Sequence, residues 1–226
     1  MLFRSLGRVA PAADEAGLGM HVSEGILTGP VLAGGAALAV AGVALGLRRM
    51  SVEATPRTAM LAAVFFVASL IHIPLGPSNV HLILNGLAGL LLGWCVFPAL
   101  AVALLLQAML FQFGGLTVLG VNTLIMALPG LLVYLALGRA FRGPRTPAAV
   151  FAAGCAAGAL SVVLSGVLLT LALALGGREF LGVAGAVLAA HVPVMVADGL
   201  VTGFCVLLLH KVRPSALDPA GAEALP

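Results

Sequence analysis

The feature that most limits the fold is a long stretch without any charged residue. Residues 58–138, 81 in all, contain no Asp, Glu, Lys or Arg. A helix that crosses a bilayer needs roughly 20 apolar residues, so this stretch can hold up to four crossings. The whole chain is 62% hydrophobic and only 8% charged, whereas soluble domains carry about 25% charged residues. The chain is therefore predicted to lie in a membrane.

Breaks in the apolar pattern divide the chain into seven predicted helices. Inside the uncharged stretch the breaks are the turn at 74–79, Pro98 and the Gly114-Gly115 pair. Elsewhere, charged residues close each apolar stretch. The predicted spans are 28–47, 58–75, 81–96, 98–113, 121–138, 148–176 and 182–209. The sequence thus predicts an all-α, polytopic membrane protein with seven transmembrane helices.

The distribution of Lys and Arg predicts the orientation of these helices. With seven crossings, eight basic residues fall on one side, and only Arg178 falls on the other, apart from two in the N-terminal extension. The eight are Arg48, Arg49, Arg57, Arg139, Arg142, Arg145, Lys211 and Arg213. Cytoplasmic loops carry an excess of Lys and Arg. The N-terminus is therefore predicted outside and the C-terminus in the cytoplasm. Because the basic residues mark the ends of loops, the net charge of +3 does not indicate a nucleic-acid partner.

The predicted membrane domain covers residues 20–211, with a cytoplasmic tail at 212–226 and an extension at 1–19. The extension carries four charged residues and has no apolar core of signal-peptide length. It is either a disordered segment or the result of a mis-assigned start, with translation beginning at Met20. The chemistry of Met20 and the next residue favours the second interpretation.

Histidine side chains gather on the predicted outer side. His21 precedes the first span, and His72 and His81 lie on either side of the turn at 74–79. If Met20 is the first residue, its amine, the His21 amide nitrogen and the His21 Nδ1 can chelate one metal in two nearly strain-free rings. One more imidazole would complete a plane of four nitrogens, and tetragonal nitrogen coordination favours Ni²⁺ or Cu²⁺.

Other polar residues have two interpretations each. Glu24 either holds the N-terminal segment by bonding backbone N–H groups or is an exposed carboxylate. His191 and Asp198 lie two helical turns apart on one face of the last span, which predicts a structural polar pair, with a transient metal station as the alternative. Three amides either cap helices or line a pocket, and three cysteines in apolar runs are predicted to pack without ligating. These residues are Gln107, Gln112 and Asn122, and Cys95, Cys155 and Cys205.

Four segments together resemble one family. Residues 20–27, Met-His-Val-Ser-Glu-Gly-Ile-Leu, resemble the opening Met-His-Ile-Pro-Asp-Gly-Phe-Leu of the CbiM/NikM family, the substrate-specific subunits of energy-coupling factor importers for cobalt and nickel. The similarity continues through 76–82, 105–122 and 191–202, and it covers residues 20–211. The chain differs where Ser23 replaces the usual Pro and Asp198 the usual Glu.

The resemblance implies seven helices with a metal near the outer face. Its implied ligands are the Met20 amine, the His21 amide and imidazole, and the His81 imidazole. By position alone, His72 and Asn79 would orient a ligating imidazole without touching the metal, and Glu24 is a third candidate for such a supporting role. The implied substrate is Co²⁺, used for cobalamin synthesis, or alternatively Ni²⁺.

The resemblance also implies partners and a location. The partners are a coupling membrane subunit, two ATP-binding cassette subunits and a small accessory membrane protein, in the bacterial inner membrane. The chain has no P-loop of its own.

A secondary metal transporter would place ionisable residues at the bilayer midplane, often in repeated halves, and only Asp198 fits that description. An intramembrane metalloenzyme would need a motif such as H-E-x-x-H, which is absent from the sequence.

Overall fold

The computed structural model describes residues 22–75, 78–141, 146–176 and 181–217, with only the backbone described at 72–75, 78–80, 181–184, 186, 187 and 190. Within these residues the chain forms seven α-helices and one antiparallel two-stranded hairpin. The helices are α1 (Gly29–Arg49), α2 (Thr55–Ala68), α3 (Asn85–Leu92), α4 (Val96–Phe111), α5 (Leu119–Leu137), α6 (Pro147–Gly176) and α7 (Leu181–Val212). Strands β1 (His72–Leu75) and β2 (Ser78–His81) lie between α2 and α3.

The helices are apolar on nearly all sides, which is typical of membrane spans. Five stretches of the described chain are long and apolar enough to cross a membrane by length and composition, and α2 is a shorter apolar helix. The five are Gly29–Arg49, Asn85–Phe111 (which contains both α3 and α4), Leu119–Phe141, Pro147–Gly176 and His191–Val212. Because the bilayer core has no water to bond backbone groups, such a sequence satisfies them within helices. The prediction of an all-α polytopic membrane protein is confirmed, with five described stretches of membrane-spanning length where seven spans were predicted.

The predicted second and third spans are too long. The prediction placed them at 58–75 and 81–96, whereas α2 ends at Ala68 and α3 covers only eight residues. At 1.5 Å per residue, α3 is roughly 12 Å long, less than half of the hydrocarbon core. Pro74 and Pro77 explain why helix does not extend into the chain between α2 and α3, because proline lacks the N–H that a helix needs and disfavours helical backbone in the residue before it. The chain between α2 and α3 forms the hairpin instead.

The chain turns back on itself between α3 and α4. Gly93 has φ 54° and ψ −126°, which ends α3. Next to it, the ring of Trp94 lies 4.6 Å from the guanidinium carbon of Arg49, at the end of α1. We call this the arginine end of the bundle, and the opposite end, where α1 begins, the entrance end. At the far end of α4, Gln107 Nε2 donates to Ser69 Oγ at 2.8 Å, just beyond the end of α2. α3 therefore runs toward the arginine end and α4 returns to the entrance end.

Glycines allow several of the helices to approach closely. A Cβ atom on Gly89 of α3 would lie 2.0 Å from the main-chain oxygen of Gly130 in α5. A Cβ atom on Gly158 of α6 would lie 2.5 Å from the main-chain oxygen of Asp198 in α7. Small residues let membrane helices gain van der Waals contact, which drives their association in lipid. The same contacts hold α5 and α7 at fixed positions along the neighbouring helices, and with them the polar side chains that α5 and α7 carry.

Gly89→Ala tests this packing. The added methyl would meet main-chain atoms of α5, which cannot rotate away, so we expect a loss of stability of about 1–3 kcal/mol. Gly34→Ala is the matched control, because a Cβ atom there has nothing within 4 Å. Alanine favours helix over glycine by about 1 kcal/mol, so the control should be neutral or more stable. Thermal unfolding of both variants in detergent measures the difference, and an equal change in the two would contradict the close α3–α5 contact.

Candidate metal site

The predicted site residues fall into two groups in the structure. Met20 and His21 lie outside the described residues. His72 and Asn79 lie on the hairpin, where only the backbone is described, with His72 opposite His81 and Asn79 opposite Pro74 in the strand register. The segments that follow these residues, from Val22 and from His81 onward, are described with their side chains. Their contacts indicate where the predicted ligands attach to the bundle.

The chain that follows His21 is held to the start of α5. The main-chain N–H of Val22 donates to Asn122 Oδ1 at 3.0 Å, and Asn122 Nδ2 donates to the Val22 carbonyl at 3.1 Å. Val22 is only 1% exposed, so both hydrogen bonds are shielded from water. One amide side chain thus satisfies both polar main-chain groups of one residue. The sequence left the role of Asn122 open between capping and pocket lining, and the structure places its amide on the N-terminal segment.

A second contact holds the same segment two residues later. Glu24 Oε1 accepts hydrogen bonds from the Thr117 N–H at 3.0 Å and from the Thr117 hydroxyl at 3.1 Å. These two donors, the main-chain N–H foremost, lower the pKa of the Glu24 carboxyl below its usual value. Gly115 makes room for the carboxylate, because its φ is +121° and a Cβ atom there would lie 2.2 Å from Glu24 Cγ. The N-terminal segment is therefore anchored at Val22 and at Glu24.

His81 ends β2 and its side chain is buried, at 5% exposure. Its Nδ1 lies 2.9 Å from the carbonyl oxygen of Leu82. Because a carbonyl only accepts, Nδ1 carries the hydrogen in this contact. The neutral ring then has its lone pair on Nε2, which is the form that a metal ion binds. The contact also fixes the orientation of the ring through the backbone of the next residue.

Asp198 of α7 binds the chain just after His81. Its Oδ2 accepts from the Leu84 N–H at 2.9 Å, and both of its oxygens lie 3.2 Å from the Ile83 nitrogen. The Asp198 carboxylate is therefore bonded to the main chain that leads into α3, and the predicted polar pair of His191 with Asp198 stays a prediction. The ring of His191 packs at Gly166, where a Cβ atom would lie 3.3 Å away.

Asn85 is a buried polar residue for which the sequence indicated no role in the site. Its Nδ2 donates to the Met126 carbonyl and to Ser165 Oγ, both at 2.9 Å. Ser165 Oγ in turn donates to the carbonyl of Ile125 at 3.1 Å. The available signal was the amide itself, because a polar side chain in an uncharged apolar stretch needs a partner inside the bundle. Asn85 thus attaches the start of α3 to α5 one turn beyond Asn122.

In the described part of the chain, no three His, Cys, Asp or Glu side chains come together as a metal-binding group. The three cysteines are free thiols at separate positions. The predicted donors Met20 and His21 precede that part. The described contacts bear on how a site would be held, since they fix the segments that carry the predicted ligands.

The fold and these contacts define a polytopic membrane protein that binds its own N-terminal segment and a buried histidine segment with the side chains of its helices. Residues 21–216 match the family described as the cobalt uptake substrate-specific transmembrane region. The chain belongs to this family, the CbiM family. It is a transmembrane substrate-specific component of cobalt or nickel uptake and not an enzyme.

Individual relatives agree with the family. A Haemophilus influenzae protein named as a metal transport protein is 44% identical over 200 residues, which are 88% of this chain and 97% of the relative. A Rhodobacter capsulatus protein named fused nickel transport protein NikMN is 31% identical, and the match covers 92% of this chain and 66% of the relative. A crystal structure titled as a truncated transition metal transporter has a TM-score of 0.67 at 23% identity, covering 84% of this chain and 98% of that one. The last similarity establishes the shared fold.

Asn122→Leu tests the anchoring of the N-terminal segment. The variant removes both hydrogen bonds to Val22, each with a net value of about 0.5–1.5 kcal/mol. We expect amide hydrogen exchange at Val22 to become on the order of 10- to 100-fold faster, measured by mass spectrometry of the N-terminal peptide. Gln107→Leu is the matched control, because it removes an equally buried amide that bonds Ser69 instead. Equal acceleration in both variants would reduce the effect to general destabilisation.

Proposed function

We propose that the chain captures Co²⁺ on the outer side of the bacterial inner membrane and delivers it to an ATP-driven importer of the energy-coupling factor class. The observation that carries the proposal is that α5 holds both ligand-bearing segments. Asn122 bonds the residue after His21, and one turn further along α5 the Met126 carbonyl bonds Asn85, four residues after His81. Two segments that lie far apart in sequence are thereby brought to the same two turns of one helix.

The proposed ligands are the Met20 amine, the His21 amide and imidazole, and the His81 imidazole. The first three belong to one chelating terminus, which requires Met20 to be the first residue of the mature protein. The anchor at Val22 supports this set, because it fixes the main chain directly after His21. The His81 ring contributes the fourth nitrogen through Nε2, and His72 and Asn79 would orient the imidazoles from the hairpin.

Ni²⁺ is the alternative substrate within the same class. A plane of four nitrogens suits Ni²⁺, and the general affinity order for divalent ions places Ni²⁺ above Co²⁺. The name of the Rhodobacter capsulatus relative supports nickel, whereas the family description supports cobalt. Competition between the two ions in a titration of the purified chain distinguishes the alternatives.

The proposed orientation has the N-terminus outside and the C-terminus in the cytoplasm. It is supported by basic residues at one end of the bundle, where α1 ends at Arg49 and α7 ends near Lys211. A guanidinium nitrogen of Arg57, in α2, donates to the carbonyl of Ala216, so the C-terminal segment lies at the same end. This face would meet the coupling membrane subunit and the two ATP-binding cassette subunits, and a small accessory membrane protein completes the proposed complex.

His81→Ala tests the ligand assignment. We expect a large loss of affinity for Ni²⁺ and Co²⁺ in titrations of the purified chain, because the variant removes one of four nitrogens. His72→Ala should lose only about 10- to 100-fold, the range for residues that orient a ligand. His210→Ala at the opposite end is the control and should bind like the parent protein. Unimpaired binding by His81→Ala would remove it from the ligand set, and greater damage from His72→Ala would mean that the two roles are reversed.

A further inference from the structure

Two energetically costly features meet in the three residues after His81. Leu84 has φ 53°, in the left-handed region that costs non-glycine residues about 1–2 kcal/mol. Asp198, which binds this segment, is fully buried at 0% exposure inside the helix bundle. Acidic side chains inside a membrane domain are expensive and are usually functional. Backbone strain of this kind persists where the surrounding structure over-determines it, typically at functional sites.

Asp198 holds the segment with more than one contact. The Ile83 and Leu84 N–H groups precede the first turn of α3 and therefore have no partner within that helix. The carboxylate accepts from both and lies at the N-terminal, positive end of the α3 dipole. These interactions offset part of the cost of burying the charge. A neutral Ser or Asn would cap a helix without that cost, so capping alone does not account for a carboxylate at this position.

The contacts continue from Asp198 to the His81 ring. Ile83 and Leu84 are fixed by the carboxylate, and the carbonyl of Leu82, directly before them, holds Nδ1 of His81 at 2.9 Å. In the segment from His81 to Leu84, the Asp198 carboxylate therefore binds the main chain of the last two residues. The His81 imidazole, at the start of the segment, is bound to the main chain of Leu82. Any change in the Asp198 contact would move the Leu82 carbonyl and, with it, the direction of the His81 Nε2 lone pair.

We infer that Asp198 is the positioning residue for His81, holding the imidazole where it completes the metal site without itself touching the metal. The inference rests on the proposed function, because it takes His81 as a ligand. Asp198 lies more than a hundred residues after His81 in the sequence. The inference therefore gives α7 a role in the metal site that the sequence does not suggest. It also gives a physical reason for a buried acid in this helix.

A double-mutant cycle tests the inference. Ni²⁺ affinity is measured by titration of the purified full chain for the parent, Asp198→Ala, His81→Ala and the double variant. We expect Asp198→Ala to lose about 10- to 100-fold, as for residues that orient a ligand. In the His81→Ala background the same change should have almost no further effect, because residues acting through one contact are not additive. The visible absorption band of bound Ni²⁺ should shift in the same direction in both single variants.

Two further variants keep the test decisive. Thr202→Val removes a buried hydroxyl one turn further along α7, which has no hydrogen-bond partner among the described residues, and should leave affinity unchanged. Asp198→Asn keeps the side-chain volume and one accepting oxygen, should show an intermediate loss, and carries the test if the alanine variant does not fold. Parent-like affinity in the Asp198 variants, or the same fold-loss with and without His81, would overturn the inference. Parent-like binding by His81→Ala would instead remove the ligand assignment on which it rests.

Discussion

The hydrogen bonds between Asn122 and the main chain of Val22 are the interaction on which the entrance end depends. Lipid offers no partner to a backbone group that is not in a helix, so irregular chain inside a membrane protein must be bonded by the protein itself. Asn122 supplies one donor and one acceptor to a single residue. In the same way, the Asp198 carboxylate accepts hydrogen bonds from the two non-helical residues directly before α3. Without such side chains the segments that carry the proposed ligands could not lie against the bundle.

The two ends of the molecule are built differently. At the entrance end, buried amides and a carboxylate hold non-helical backbone, and the hairpin β1–β2 replaces what could have been helix. Deeper in the bundle, glycines bring helix backbones into contact, as at Gly89 and Gly130. The close contacts leave little freedom to α3, α5, α6 and α7. They therefore keep Asn122 and Asp198 at fixed depths, and those depths set where the bound segments lie.

Charges and apolar runs were enough to predict five of the seven helices to within three residues of the observed α1, α4, α5, α6 and α7. The hairpin could not be predicted in this way, because Pro74 and Pro77 indicate only that helix does not continue here, and not that the chain on either side of them pairs as two strands. The partner of Asp198 could not be predicted from the sequence either, because it is the main chain of Ile83 and Leu84, which lies in a distant segment. The periodicity that placed His191 and Asp198 on one helix face carried no information about the contact of Asp198 with the main chain of Ile83 and Leu84.

The central claim is that a metal ion is held by main-chain and imidazole nitrogens from Met20, His21 and His81. X-ray absorption spectroscopy of the nickel-loaded protein tests it most directly, on a sample whose first residue has been identified by mass spectrometry. The account predicts Met20 as the first residue and a planar shell of four nitrogens, with the scattering of two imidazole rings. An oxygen-rich octahedral shell, or the same nitrogen shell in a protein that retains residues 1–19 and so has no free Met20 amine, would contradict it.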